Sequence, residues 1–262
     1  MSALNLKTLK ESFDRDGYVF IPGFLSPEEV QTLNANIERF IAEGIPSMSA
    51  APYFYEDKDD AATLKQMQDL EQYDAYYKTL AVESKYEQLA EALLGENVIC
   101  KTVEYFNKPP RIGKPTPPHQ DGYYFMLNPQ QAVTMWLALE KVDEENGCVK
   151  YVKGSHLKGM RTHGRTTTLG FSQQIVDFGT EDDMKNEIAF PANPGDLLMH
   201  HSLTIHRAGA NITTNRTRKA MGLIYWGESA KEDVEAKERY MKKLQEERRG
   251  VRYEVGGIGY EV

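Results

Sequence analysis

The feature that most limits how this 262-residue chain can fold is a change of texture at Gly95. Before it, apolar residues recur at helical spacing; after it come short β-prone runs separated by Gly, Pro and Asn. Those runs are Val98 to Asn107, Ala132 to Leu139, Cys148 to Val152, Ile188 to Phe190, Asp196 to Met199 and Lys219 to Trp226. Helices that precede strands, and do not alternate with them, argue against a doubly wound sheet. They predict an antiparallel α+β fold, a β-sandwich or barrel with helices outside it.

Within the helical third, residues 3 to 16 set Leu4, Leu6, Leu9 and Phe13 at helical spacing, and Gly17 ends the run. Tyr18 to Ile21 is β-prone. Ser26-Pro27-Glu28-Glu29 then offers an N-cap, a proline at the first helical position and a capping-box glutamate. This predicts a helix to about Glu43, with Val30, Leu33, Ile37 and Ile41 on one face. Residues 45 to 63 read as a surface loop, and Leu64 to Leu94 as two or three helical pieces stopped by Gly95. Further on, residues 158 to 187 show no clear period and read as a lid or binding loop. Ala230 to Arg249 reads as a charged helix.

Composition narrows the function classes. With 40% hydrophobic and 27% charged residues, the chain has the makings of a buried core, and one domain over residues 1–262 is expected. Its parts would be helical support to residue 95, a strand core over 96–226 and a C-terminal helix and tail over 227–262. A net charge of -8 with a pI near 5.4 argues against a nucleic-acid partner. Two cysteines, Cys100 and Cys148, exclude a disulfide-dense scaffold or a Cys-rich zinc module. The N-terminus lacks a signal-peptide core and no window approaches a membrane span, so the expectation is a cytoplasmic protein with no membrane partner.

The chemistry concentrates in T-P-P-H-Q-D-G-Y-Y, residues 116 to 124. On an extended strand His119 and Asp121 would project to one side and could grip one metal ion. One more histidine would complete the 2-His-1-carboxylate face used by non-heme Fe(II). His156, His163, His200, His201 and His206 are the candidates, and the last three follow the turn-and-strand stretch P-G-D-L-L-M. Beyond His206 the chain turns through Gly209 and Asn211 and returns with Arg216 and Arg218 on one face with Ala220, Gly222 and Ile224. A guanidinium inside a barrel needs an anion, and a carboxylate gripped at two points fits it best.

H-x-D, a distal histidine and an arginine about a dozen residues later form a pattern that resembles the Fe(II)/2-oxoglutarate dioxygenases, specifically the phytanoyl-CoA dioxygenase family. Further blocks extend the resemblance over about residues 13 to 226: F-D-R-D-G-Y-V-F-I-P-G-F, N-K-P-P, W-L-A-L-E, E-N-G-C-V-K-Y-V-K-G-S-H, P-G-D-L-L-M-H-H-S-L-T-I-H and R-K-A. It implies a double-stranded β-helix, the jelly-roll or cupin-like barrel. It also implies iron held by His119, Asp121 and His206, with Arg218 pairing the distal carboxylate of 2-oxoglutarate and Arg216 as its rival. Trp136 and Gln120 occupy positions that line the cosubstrate pocket in relatives, and Ala208 stands where many relatives have serine. The implied reaction consumes O2, converts 2-oxoglutarate to succinate and CO2, and oxidises a small molecule. The carboxylate of Asp121 implies hydroxylation or another oxidation and not chlorination.

Tyr123, Tyr124 and Phe125 are candidates to wall the substrate cavity. Lys158, Arg161, His163 and Arg165 would suit a substrate carrying a carboxylate, phosphate or phosphonate, or would simply be solvated. The competing functions are a cupin-like metalloenzyme that is not an oxygenase and a catalytically silent binding or regulatory homologue.

Overall fold

The computed structural model of the chain describes residues 5–47, 53–166 and 173–249. Seven strands form a large antiparallel sheet, in the order Tyr18–Ile21, Leu197–His201, Ala132–Ala138, Ala220–Gly227, Val98–Phe106, Leu64–Met67 and Tyr53–Tyr55. A smaller antiparallel sheet orders Glu187–Phe190, Val149–Val152, His206–Ala208 and Thr116–His119. Sequence neighbours are seldom sheet neighbours, so each sheet is assembled from distant parts of the chain.

Side-chain alternation gives the large sheet two unlike faces. Val133, Met135, Leu137, Leu197, Met199, Met221, Leu223 and Tyr225 point one way, into the main core with Leu33, Ile37 and Leu93 of the helices. Trp136, Ala138, Leu198 and Ala220 point the other way and meet Val149 and Tyr151 of the small sheet. The two sheets therefore pack face to face, and the helices cover only the outer side of the large one.

Local signals hold where they were strongest. The first helix runs Leu6–Asp16 and closes on Gly17, whose φ of 85° suits a residue without a side chain. Ser26 caps Pro27–Arg39 with both bonds of the capping box in place. That helix continues as a π-helical turn, Phe40–Gly44, and a short α-turn, Ile45–Ser47. The charged C-terminal helix runs Val234–Arg249. No described helix is long and apolar enough to cross a membrane.

Two expectations fail. Leu64–Met67, expected to be helical, is a strand, and Tyr53–Tyr55, expected in a loop, is its partner. Both sit beyond Val98–Phe106, where Gln66 and Met67 pair with Phe106 and Tyr105. An open edge with unpaired amides outweighed weak local propensity. The stretch 158–187 is also not a featureless loop. It holds a hairpin of His163–Arg165 and Gln173–Ile175 and a capped helix, Glu181–Asn186. Of its three threonines, Thr167 and Thr168 lie outside the described residues.

Candidate metal centre and the cavity around it

His119 ends one strand of the small sheet and His206 begins the neighbouring one, directly opposite in register. Each ring donates Nδ1–H to the carbonyl two residues before it, His119 to Pro117 at 2.8 Å and His206 to Thr204 at 3.0 Å. Those bonds fix the tautomer and leave Nε2 of both rings as a lone pair aimed at the space between the sheets. Asp121 Oδ1 completes the triangle, 3.4 Å from His119 Nε2 and 3.6 Å from His206 Nε2. One ligand atom from each of the three residues lies within 4.8 Å of the others, a spacing that one ion can bridge.

Asp121 reaches this position by a route that strand alternation does not describe. The strand stops at His119, and Asp121 has helical angles, φ −58° and ψ −35°, at the start of the turn Gly122–Phe125. The expectation of a shared strand face for His119 and Asp121 is therefore corrected. At Gly122 the turn packs closely against the Gln130 side chain, whose Oε1 would lie 2.3 Å from a Cβ. The other carboxylate oxygen is taken: Thr134 donates to Oδ2 at 2.6 Å and His200 Nε2–H at 3.0 Å. In the tautomer that donates from Nε2, His200 accepts from the Tyr151 hydroxyl through Nδ1 at 2.9 Å.

Electrostatics suit a cation. Burial raises the Asp121 carboxyl, but His206, His119 and His200 around it outweigh burial and hold it well below the ordinary carboxylate range. Burial, reinforced by His119 and His200, pulls His206 well below its ordinary value. Two imidazoles and one carboxylate form the donor set of a divalent ion.

The triad opens into a cavity of about 340 Å³ between the sheets. At its other end stands Arg218, 4% exposed, with Nε lacking any hydrogen-bond partner and no carboxylate paired with it among the described residues. Burial lowers it to about 10, so it stays charged at neutral pH. Trp136 lies beneath it, ring centroid 5.4 Å from the guanidinium carbon. Arg216 is instead bonded to Asp143 at 2.6 and 3.1 Å and to Glu145 at 2.8 Å. Of the two arginines, only Arg218 faces the cavity with its charge unspent.

Other expected residues are distributed differently. Trp136, Ala208, Tyr124 and Phe125 line the cavity. Gln120 does not: its amide donates to Gly159 and Leu203 carbonyls at 3.0 and 2.7 Å and accepts from Arg161 N at 2.8 Å, bracing the chain behind the triad. Tyr123 stacks on His163 at 4.2 Å, away from the cavity wall. His201 packs against Phe13 and His156, on the opposite side of its strand from His200.

Two cations of the basic segment are already paired with acids. Lys158 pairs with Asp182, Arg161 pairs with Asp177 at 2.8 Å and Asp183 at 2.7 Å, and none of Lys158, Arg161, His163 and Arg165 lines the cavity. Thr134 and Tyr151 were missed by sequence reasoning, and His200, a candidate third ligand there, holds Oδ2 of Asp121 instead. The alternation Thr134, Trp136, Ala138 along one strand was the available signal for the first of them.

Comparison with known proteins agrees with this geometry. Residues 13–220 match the family model for phytanoyl-CoA dioxygenase (PhyH). The rat peroxisomal phytanoyl-CoA dioxygenase is 25% identical over 237 residues, covering 85% of this chain and 68% of the relative. Among solved structures, the epimerase SnoN in complex with Fe3+, alpha ketoglutarate and nogalamycin RO superimposes with TM-score 0.67 at 27% identity, covering 86% of this chain and 84% of SnoN. The alpha ketoglutarate dependent carbocyclase SnoK from nogalamycin biosynthesis gives TM-score 0.72 at 26% identity, covering 91% of each chain. The chain belongs to the phytanoyl-CoA dioxygenase family.

Proposed function

We propose that this protein is an Fe(II)- and 2-oxoglutarate-dependent oxygenase whose iron is held by His119, Asp121 and His206 and whose cosubstrate is anchored by Arg218. The observation that carries the reading is one cavity with a preformed triad at one end and an unpaired, buried guanidinium at the other. The triad by itself suits several divalent ions, and a buried guanidinium by itself suits many anions. Together they match a dianion that chelates a metal through its keto acid and presents a second carboxylate at a distance. In SnoN the same pair of groups, Fe3+ and alpha ketoglutarate, is bound. The two antiparallel sheets enclosing the cavity fit the double-stranded β-helix.

Bound iron with 2-oxoglutarate and O2 would supply the oxidising power, yielding succinate and CO2. The residues of this chain orient and exclude. Thr134 and His200 hold Oδ2 of Asp121, so Oδ1 alone faces the metal position. Pro117 and Thr204 carbonyls keep the His119 and His206 rings turned with Nε2 inward. Trp136 covers the Arg218 guanidinium, where a bidentate carboxylate would find a charge shielded from water. Three protein ligands leave open positions for cosubstrate and O2. Because Asp121 would occupy the place a halide needs, the outcome is hydroxylation or another oxidation of a small molecule and not chlorination. SnoN and SnoK, an epimerase and a carbocyclase, mark epimerisation and ring closure as the other oxidations to assay.

The deciding experiment is anaerobic addition of Fe(II) and then 2-oxoglutarate to the full chain. A weak visible charge-transfer band, absent with either component alone, is expected. If no such band forms, the metalloenzyme would be of another, non-oxygenase kind.

A further inference from the structure

Glu104 is a carboxyl group in the cavity wall that the proposed chemistry does not use. It lies on the large sheet, opposite Gly222, which is itself opposite Trp136, so it belongs to the inner face. The strand carrying Thr134, the partner of Asp121, is two strands away, about 10 Å across the sheet. Among the described residues its one hydrogen bond comes from Gln66 Nε2, at 3.1 Å to Oε2. Burial pushes the carboxyl up to about 8, and the charges that reach it, Asp121, Asp69 and Glu71, are all negative. Among the described residues no cation is paired with it.

The cations in the same wall are engaged elsewhere. Lys65 is paired with Glu56 at 3.0 Å, and Arg207 with Glu187 at 2.6 Å. Lys108 donates to the Lys114 and Gly209 carbonyls, both at 2.7 Å. Lys114 is exposed at the rim, and Arg218 faces the far end. At about 8 the carboxyl keeps its proton at neutral pH, and it ionises at low cost only beside a cation. That cation has to come from the cavity. Phe106, Tyr124 and Phe125 line the same space and present rings of the kind that attract a cation.

Resting on the oxygenase reading for its place in the reaction, we propose that Glu104, braced by Gln66, is the substrate-recognition residue and takes the protonated amine of a small basic substrate. The metal triad and Arg218 handle iron and cosubstrate; Glu104 fixes which carbon of the substrate faces the metal. Its charge requirement also excludes substrates that carry only an acid group at that position.

The test uses amines, alcohols and carboxylic acids matched on hexyl, cyclohexyl and benzyl skeletons. Each is titrated calorimetrically into the full chain, both metal-free and loaded anaerobically with Fe(II) and 2-oxoglutarate. At least one amine should bind about tenfold or more tightly than its alcohol and acid counterparts, the scale of a desolvated charge interaction. Glu104→Gln, nearly the same shape without the charge, should erase that preference, and Glu104→Asp should restore part of it. Equal binding of amine and alcohol across every skeleton, or an amine preference that survives Glu104→Gln, overturns the proposal. The metal-free titration and the charge-transfer band are separate readouts. A missing band therefore counts against the oxygenase reading, and a missing amine preference counts against Glu104.

Discussion

His200 and His201 are neighbours on one strand, and they fall on opposite faces of the large sheet. His200 touches Asp121 and Tyr151 beside the triad of His119, Asp121 and His206, whereas His201 lies under the first helix against Phe13. The same contrast runs along the other central strands. The outward positions are aliphatic or aromatic and close-packed, while the inward ones include Thr134, Trp136, Glu104 and Gly222. Burial of apolar surface on the outer face supplies the stability that lets the inner face carry polar groups around a cavity. One set of strands thus separates folding from chemistry by residue parity alone.

Substitutions can break this division if it is wrong. The largest effect is expected from His206→Ala, which should reduce iron-dependent 2-oxoglutarate turnover by about a thousandfold or more while leaving the metal-free melting temperature near that of the parent. Retained turnover would transfer the ligand role to His200. Next, Arg218→Ala should raise the KM for 2-oxoglutarate by about a hundredfold, on the scale of losing a buried charge pair. Arg216→Ala, which breaks a partly exposed ion pair with Asp143, should leave that KM unchanged and change stability little.

On the outer face the readouts reverse. Leu223→Ala empties a fully buried position and should cost about 2–5 kcal/mol in denaturant unfolding, with the KM for 2-oxoglutarate unaltered in the protein that remains folded. The smallest effect belongs to His201, which burial, with His156 and His200 beside it, pulls down to about 4. Its folded value lies below its unfolded one, so the unfolded chain binds the extra proton. Stability is complete above about pH 6.5 and falls as pH drops toward 4. His201→Gln should flatten part of that decline when melting temperatures are compared at pH 7 and pH 5. An unchanged slope would mean that His201 is not packed as the structure shows.

How far the sequence could be read depended on whether a signal was local. Ser26 to Glu29 and Gly17 act within four residues, and both gave the helix boundaries found. The unequal roles of Arg216 and Arg218 were only half legible. Both were visible as candidates, but the acids that engage Arg216 come from a turn some seventy residues earlier. Asp121 was found for a geometric reason that does not operate, since the chain leaves the strand at His119. Leu64–Met67 took its conformation from an edge formed by residues 98–106, and no local pattern carries that information. Gln120 shows the same limit from the opposite side: the side chain of a residue between two candidate ligands is spent on backbone carbonyls and an amide behind them. Glu104 hid inside a β-prone run, where one charge reads as an exposed position until the second sheet is laid over it.

The unpaired guanidinium of Arg218 also bears on how this protein would respond to engineering. A buried positive charge with no counterion is a standing penalty, and an apolar side chain of similar length would remove it. Arg218→Met should therefore melt at a higher temperature than the parent while losing the response to 2-oxoglutarate. Selection for thermostability alone would drift toward that loss, and a stabilised variant would need screening with the cosubstrate present to keep its arginine.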